Sequence, residues 1–431
     1  MSSNNIQPVN NSTNQHPPKL TIGLFGFGVV GESLYRVLQE HPTFSATVKK
    51  VCIRQVHKPR NAPIRLFTTN HLDLLDDPEI NVIVELIDDA DAAFLVAREA
   101  LTRGKAVVSA NKKTIAQHLP ELLALQQKHG APFLYEGACC ASIPVIRNLE
   151  EYYDNDLLQG FEGIVNGSTN YILTRIAEDG LDFPTALKEA QEAGFAESNP
   201  HLDISGQDAA NKLAILLCHA YGIVGSPASL VYQGIAQIDA ADARLAEQTG
   251  QRIRLVASAR KLDDGKVSAH LLPTFVGPES QLYNVRNEYN GIQIESGFAE
   301  TQFFYGKGAG GYATASAVLS DLSALRYDYR YEYKKLYKQA PATLSYDATL
   351  HVYVSCDDLG RLPEEAFSAI HHWGYADGRA YVVGEISLES LRHDRWWQRK
   401  GFSLIVCGPD FAGKLRRRGA KKQTQELAVP A

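Results

Sequence analysis

Cysteine is scarce: the six in this 431-residue chain form no CxxC pair and no zinc-ligand spacing. A dense disulfide framework is excluded, which fits a reducing cytoplasm. Long apolar runs are missing too, since even Leu213 to Val224 is broken by His219 and Tyr221, far short of the ~18 residues of a membrane span. Positive charge is not in excess. Forty-three Lys and Arg against 49 Asp and Glu leave a net charge of −6, so no overall field draws nucleic acid or an anionic membrane. The N-terminus lacks the basic and apolar regions of a secretory signal, and residues 1–19, rich in Asn, Ser, Gln and Pro, read as a disordered leader. What remains is ordinary globular composition, 45% hydrophobic and 21% charged, long enough for about three domains at ~150 residues each.

The strand candidate Leu20 to Phe25 runs into Gly26-Phe27-Gly28-Val29-Val30-Gly31, after which Glu32 to Leu38 carries helical spacing. Val48 to Ile53, Val82 to Ile87 and Ala106 to Ser109 read as further strands, with a helix over Phe94 to Arg103. This alternation predicts an α/β fold, a Rossmann-type doubly wound parallel sheet over 20–149. From 150 to 305 the pattern becomes α+β, with helices at Asn170 to Glu178, Phe183 to Ala193 and Asp208 to Tyr221, then strands at Arg254 to Ala259, Lys266 to Leu272 and Gly291 to Ser296. A third, small α+β unit spans 345–410. Its strands are Ala348 to Cys356, Arg379 to Ile386 and Phe402 to Cys407, with a helix expected at Pro363 to Trp373. Residues 411–431 read as a basic disordered tail, either solvated or in contact with an acidic partner.

In a phosphate-binding turn the first Gly permits the bend, the second lets backbone approach the pyrophosphate, and the third lets helix and strand pack closely. Gly26, Gly28 and Gly31 match that order. A lone GxGxxG is a weak signal, but this one follows a strand and opens a helix. The acid that would hold a ribose hydroxyl ~20 residues later is missing. Arg54, Gln55, His57, Lys58 and Arg60 stand at the end of the second strand instead, so either a 2′-phosphate selects NADP over NAD or the cations belong to a solvated loop.

The stretch Glu197 to Lys212 packs Glu197, Asp203, Asp208 and Lys212 into a loop leading onto a helix. Asp208 and Lys212 share one helix face. They form either a surface ion pair or part of a zwitterion site, in which Glu197 and Asp208 hold an ammonium and Lys212 works at the reacting oxygen. Lys112, just past a strand end, is a second candidate, and two converging lysines would depress each other's pKa.

Here the chain resembles homoserine dehydrogenase, from about Ile22 to Arg326. The matching segments are Val108 to Lys113, Val165 to Leu173, Ala193 to Pro200, Asp203 to Lys212 and Gly308 to Leu322. The resemblance implies reversible NAD(P)H-dependent reduction of L-aspartate 4-semialdehyde to L-homoserine, on the route to threonine and methionine. It places Lys112 and Lys212 at the chemistry, Glu197, Asp203 and Asp208 at the substrate, and Asn166, Gly167 and Thr169 on the cleft wall. The cofactor residues would be Gly26 to Gly31, Arg54, Lys58, Ser109, Asn111, Lys112 and Gly311. It also implies that 306–330 completes the nucleotide domain, that the 150–305 domain mediates a homodimer or homotetramer, and that a monovalent cation such as sodium sits near Glu136 and the carbonyls of Cys139, Ala141 and Ile143. Cys139 and Cys140 are either two buried thiols or a vicinal disulfide.

The pattern departs at Asp88-Asp89, where the family usually has Gly-Gly and where carboxylates would repel a phosphate. It departs also at Ala141-Ser142, at Asn199 for Asp and at Ala313 for Pro. The alternative these positions raise is a catalytically impaired paralogue acting as a nucleotide-binding or regulatory partner. The 345–410 unit resembles an ACT-type regulatory module in spacing, interrupted by an aromatic, basic insert from Arg392 that either packs in the core or meets a partner.

Overall fold

The structure, a computed structural model, describes residues 19–155 and 157–417. The leader up to residue 18 and the tail from 418 lie outside the described residues. The first domain alternates β1 (Leu20–Phe25), α1 (Val29–Glu40), β2 (Ala46–Cys52), β3 (Phe67–Thr68), α2 (Leu72–Leu75), β4 (Val82–Glu85), α3 (Ala90–Thr102), β5 (Ala106–Ser109), α4 (Lys112–His129) and β6 (Phe133–Leu134). Its strands form one parallel sheet in the order β3-β2-β1-β4-β5-β6. β4 and β5 are short runs buried almost throughout, as strands covered on both faces must be. The strand order reverses between β1 and β4, and ligands bind outside the carboxyl ends at such a point.

The chain then passes through α5 (Val145–Arg147), β7 (Leu158–Ile164), α6 (Gly167–Asp179), α7 (Phe183–Glu192), α8 (His201–Ile204), α9 (Gln207–Tyr221), β8 (Val231–Tyr232), α10 (Ala240–Gln248), β9 (Arg252–Lys261), β10 (Val267–Val276), β11 (Tyr289–Ser296) and β12 (Glu300–Lys307). α11 (Gly311–Leu325) returns to the nucleotide domain and lies along α1, with Arg36 Nη1 donating to the Tyr312 hydroxyl at 3.1 Å. The last part holds β13 (Leu344–Ser345), β14 (Thr349–Cys356), β15 (Ala369–Ala376), β16 (Arg379–Ser387), α12 (Leu388–His393) and β17 (Phe402–Val406).

The C-terminal unit is not a free-standing domain. Its strands continue the sheet of the second domain, in the order β12-β11-β7-β9-β10-β17-β14-β16-β15, joined where Thr274 of β10 meets Val406 of β17. Within the unit the fourth, first, third and second strands lie side by side, all antiparallel, which is the order of a split β-α-β module. Its first helix is missing: 363–373 folds as a 3₁₀ turn (Glu364–Ala366) followed by edge strand β15. Trp396 and Trp397 of the aromatic insert are buried, so that insert packs inward. The tail is ordered further than its composition predicts, because 411–417 is helical with Phe411, Ala412 and Leu415 buried.

Candidate active site

The glycine turn sits at the end of β1. Gly26 adopts φ +91°, and a Cβ there would come 2.4 Å from the Leu86 carbonyl; a Cβ on Gly31 would come 2.5 Å from the Gly26 carbonyl. Both glycines are required by close backbone approach. A Cβ on Gly28, the N-cap of α1, would meet nothing within 4 Å, so the helix N-terminus faces an open groove suited to a pyrophosphate. That groove is lined by Gly26 to Val30, Arg54, Lys58, Arg60, Asp88 and Asp89. The residues present therefore fit a dinucleotide.

Arg54, Ser109 and Gly311 each meet a neighbour distant in sequence. Arg54 does not stand free: its Nη2 lies 2.9 Å from Asp89 Oδ2, with the side chain 74% exposed. Asp89 in turn N-caps α3, accepting from Ala92 N at 3.0 Å, and these two partners hold its carboxyl below the usual range. The aspartate expected to repel phosphate is thus turned to a helix end and a guanidinium. Ser109 is buried and donates to Glu85 Oε2 at 2.6 Å, so it supports the strand end and does not line the groove. Gly311 does not line the groove either, because a Cβ there would come 2.5 Å from Ser33 Oγ of α1. Gly310, with φ +116°, reaches the cleft wall in its place. Asn111 caps α4 through Thr114 N, donates to the Ile87 carbonyl and lines the second pocket, not the glycine-turn groove.

The second pocket, about 490 Å³, lies between the nucleotide domain and the helices of the second domain. Asp208, in the first turn of α9, is its electrostatic centre. Oδ1 lies 2.9 Å from Lys112 Nζ and Oδ2 lies 2.9 Å from Lys212 Nζ. Burial opposes the charge on Asp208, but the two ammonium groups outweigh it and hold the carboxyl far below its usual value. Lys212 is buried within α9 and also donates to the Val165 carbonyl at 2.7 Å. Burial alone would lower its pKa; Asp208 more than compensates, and the value rises. The expectation that two lysines depress each other is corrected for Lys212, because a carboxylate stands between them. Lys112 opens α4, where a cation opposes the helix dipole. Local helix chemistry does not explain it; the reach to Asp208 does.

Asn166 ends the loop after β7 and caps α6, while its Nδ2 donates to Asp203 Oδ1 at 2.8 Å and to Asp208 Oδ2 at 2.9 Å. Thr169 is buried behind it and donates to Asn166; it positions that amide and is not on the cleft wall. Gly167 lines the cleft, and backbone packing behind it requires a glycine, since a Cβ there would come 2.6 Å from the Glu288 carbonyl. Asp203, its carboxyl raised by burial and by Asp208, and exposed Glu197 both line the pocket. With Asp208 held by two lysines, Asp88, Glu197 and Asp203 are the carboxylates of the lining left to face a ligand, the last two from the second domain. Ala110, Leu202 and Asn211 also line this cleft; as an alanine, a leucine and an asparagine inside a helix they carry no sequence signal of their own.

The cation ligands fit less well. Glu136 is buried, and its carboxylate accepts from Ile146 N at 2.8 Å and Arg147 N at 3.0 Å, so it caps the turn at α5 and does not offer free oxygens. The Ile143 carbonyl accepts from Val145 N at 2.8 Å. Hard cations need oxygens with free lone pairs, and the Glu136 carboxylate is spent on main-chain donors. Cys139 and Cys140 are free buried thiols, and burial pushes Cys140 up to about 11.

Comparison with known proteins shows the family. Residues 26–136 match the family model for the NAD binding domain of homoserine dehydrogenase, and residues 144–323 match the model for homoserine dehydrogenase. The homoserine dehydrogenase of Helicobacter pylori is 36% identical over 312 residues, covering 70% of this chain and 73% of that protein. That of Bacillus subtilis is 33% identical, covering 71% and 72%. Among solved structures, a homoserine dehydrogenase from Thiobacillus denitrificans superposes with a TM-score of 0.79 at 26% identity, covering 91% of this chain and 98% of that one. A hyperthermophilic archaeal homoserine dehydrogenase in complex with NADPH gives a TM-score of 0.63 at 25% identity, covering 73% of this chain and 99% of that one.

Proposed function

The chain belongs to the homoserine dehydrogenase family, and from that premise we propose which of its residues carry the reaction. It is an NAD(P)-dependent oxidoreductase acting on a CH–OH group, interconverting L-aspartate 4-semialdehyde and L-homoserine. Nothing in the relatives favours a regulatory paralogue without catalysis. The bound nicotinamide supplies or takes the hydride.

The observation that carries the assignment is the Lys112–Asp208–Lys212 bridge, which joins the nucleotide domain to α9 through one buried carboxylate. In the reducing direction Lys212, held charged by Asp208 and by the Val165 carbonyl, gives a proton from Nζ to the forming alkoxide. In the oxidising direction it takes that proton back. Lys112 adds positive charge beside the same oxygen, and Asp208 fixes both ammonium groups. Glu197 and Asp203 receive the substrate ammonium. Arg54 and Lys58 favour NADP, once Arg54 turns from Asp89 to a 2′-phosphate.

The test is NADPH oxidation with L-aspartate 4-semialdehyde. Lys212→Ala should lower kcat by ~100-fold or more, the usual scale of a positioned proton donor, with KM for the cofactor little changed. Unchanged turnover in a folded variant would remove Lys212 from the chemistry.

A further inference from the structure

Far from the cleft, on the sheet of the C-terminal module, three side chains converge that the dehydrogenase reaction does not use. His351 of β14 stands directly opposite Glu385 of β16. On the other side of β16, edge strand β15 carries a bulge between Ile370 and His372, so that two residues, His371 and His372, oppose the single Val383. Such a bulge re-aims a side chain. It brings His371 Nε2 to 2.8 Å from Glu385 Oε1, while His351 Nδ1 lies 3.7 Å from that same oxygen. Among the described residues this is the cluster in which His, Cys, Asp or Glu ligand atoms all lie within 4.8 Å of one another.

We infer that His351, Glu385 and His371 form a binding site for a first-row divalent transition ion, with Zn²⁺, Ni²⁺ and Cu²⁺ as the class. One surface ion pair needs one imidazole. The second imidazole sets a further nitrogen beside the same oxygen, and an ion that displaces the N–H proton facing Glu385 Oε1 would meet a nitrogen lone pair from each ring together with the carboxylate. Two nitrogens and a carboxylate suit borderline ions, whereas Mg²⁺ and Ca²⁺ want oxygen alone. A tetrahedral ion about 2.0–2.1 Å from each donor places the donors about 3.3 Å apart, and the observed 2.8 and 3.7 Å bracket that spacing. All three side chains are roughly one-third exposed, at 34%, 35% and 29%. They are therefore accessible to an ion yet fixed by three adjacent strands. Water fills the remaining coordination positions.

Arg416 is the charged neighbour tied to this strand. Arg416 donates from Nη2 to the His371 carbonyl at 2.6 Å, so its charge is engaged on main chain, and it ties the 411–417 helix to the strand that holds His371. A bound ion would thus clamp β14, β15 and β16 together beside that helix. The inference is independent of the dehydrogenase assignment.

The test uses the tag-free full-length protein, stripped with chelator and titrated with Zn²⁺ against a chromophoric competitor. Expected are one Zn²⁺ per chain and an affinity weakened by roughly tenfold or more in His351→Ala, His371→Ala and Glu385→Gln. The His351→Ala/His371→Ala double variant should bind none, and Lys212→Ala should bind as the parent does. Equal uptake by the double variant, or no uptake by the parent, overturns the site. Cu²⁺ electron paramagnetic resonance on the unmutated protein gives a readout that does not depend on variants folding. Nitrogen splitting from two imidazoles supports the site, and a spectrum without it overturns it.

Discussion

Glu85 ends β4 fully buried, with Ser109 Oγ and Ile87 N each donating to its carboxylate at 2.6 Å. Burial outweighs those bonds and pushes the carboxyl from 4.5 up to about 7. Between those two values the unfolded chain is ionised while the folded chain keeps the proton, so stability falls as pH rises through this window and stays lower above it. Glu85→Gln keeps the shape and removes the titration. Its thermal midpoint, relative to the parent, should therefore gain steadily from about pH 5 to about pH 8; a pH-independent difference would contradict the argument. Asp208 has the opposite sign. Its depressed carboxyl contributes stability present above the ordinary aspartate pKa and lost as pH falls toward the folded value. Asp208→Asn leaves two ammonium groups facing each other, one of them buried, and should lower unfolding free energy by about 3–5 kcal/mol in denaturant titration. Lys112→Ala should lose less, because Lys112 is 39% exposed.

At the scale of elements, the loop from β4 into α3 is where a departure from the family pattern is absorbed. Asp89 serves both as helix cap and as the partner of Arg54. Asparagine caps as well as aspartate, so Asp89→Asn should keep α3 while freeing Arg54. The NADPH-over-NADH preference, read by fluorescence titration, should then rise by roughly tenfold, the value of a charge-assisted hydrogen bond. A preference that does not move would place Arg54 outside cofactor choice. The same loop shows what sequence can and cannot disclose. Gly26, Gly28 and Gly31, and the Asp208/Lys212 pair on one helix face, were legible because local geometry dictates them. The Arg54–Asp89 contact joins residues 35 apart and was not. Pro363 to Trp373 reads as helix because Pro363, Glu364 and Glu365 are helix-start chemistry, whereas β15 begins at Ala369. Beyond them Trp373 and Tyr375 are exposed while Gly374 and Ala376 are partly covered, the alternation of an edge strand, and pairing with β16 decides the outcome. Thr169 and Ser109 fell in the right segments, yet whether a side chain faces a cleft or stands behind it depends on packing that no spacing encodes.

At the scale of the molecule, the C-terminal module shares its core with the substrate domain. Val231 of β8 and Leu272 of β10 pack in the module's apolar cluster with Trp396 and Trp397. Phe275 of β10 lies 5.4 Å from Tyr353 and stacks on Phe411 at 4.8 Å. Asp242 of α10, fully buried, accepts from Ser355 Oγ at 2.8 Å and from the Tyr353 hydroxyl at 3.1 Å. With apolar and polar contacts both crossing the seam, the two parts should unfold together. The chain supplies its own probe, because its three tryptophans, Trp373, Trp396 and Trp397, all lie in the module. Tryptophan fluorescence therefore follows the module, while far-ultraviolet circular dichroism follows the whole chain. In the unmutated protein the two denaturant transitions should coincide. Phe275→Ala removes a ring that touches both sides, at about 3–5 kcal/mol for a buried Phe truncation, and should shift the fluorescence transition to lower denaturant ahead of the dichroism. Separate transitions in the unmutated protein, or coincident ones in the variant at its lowered midpoint, would mean that the shared sheet does not couple the module to the catalytic body through Phe275.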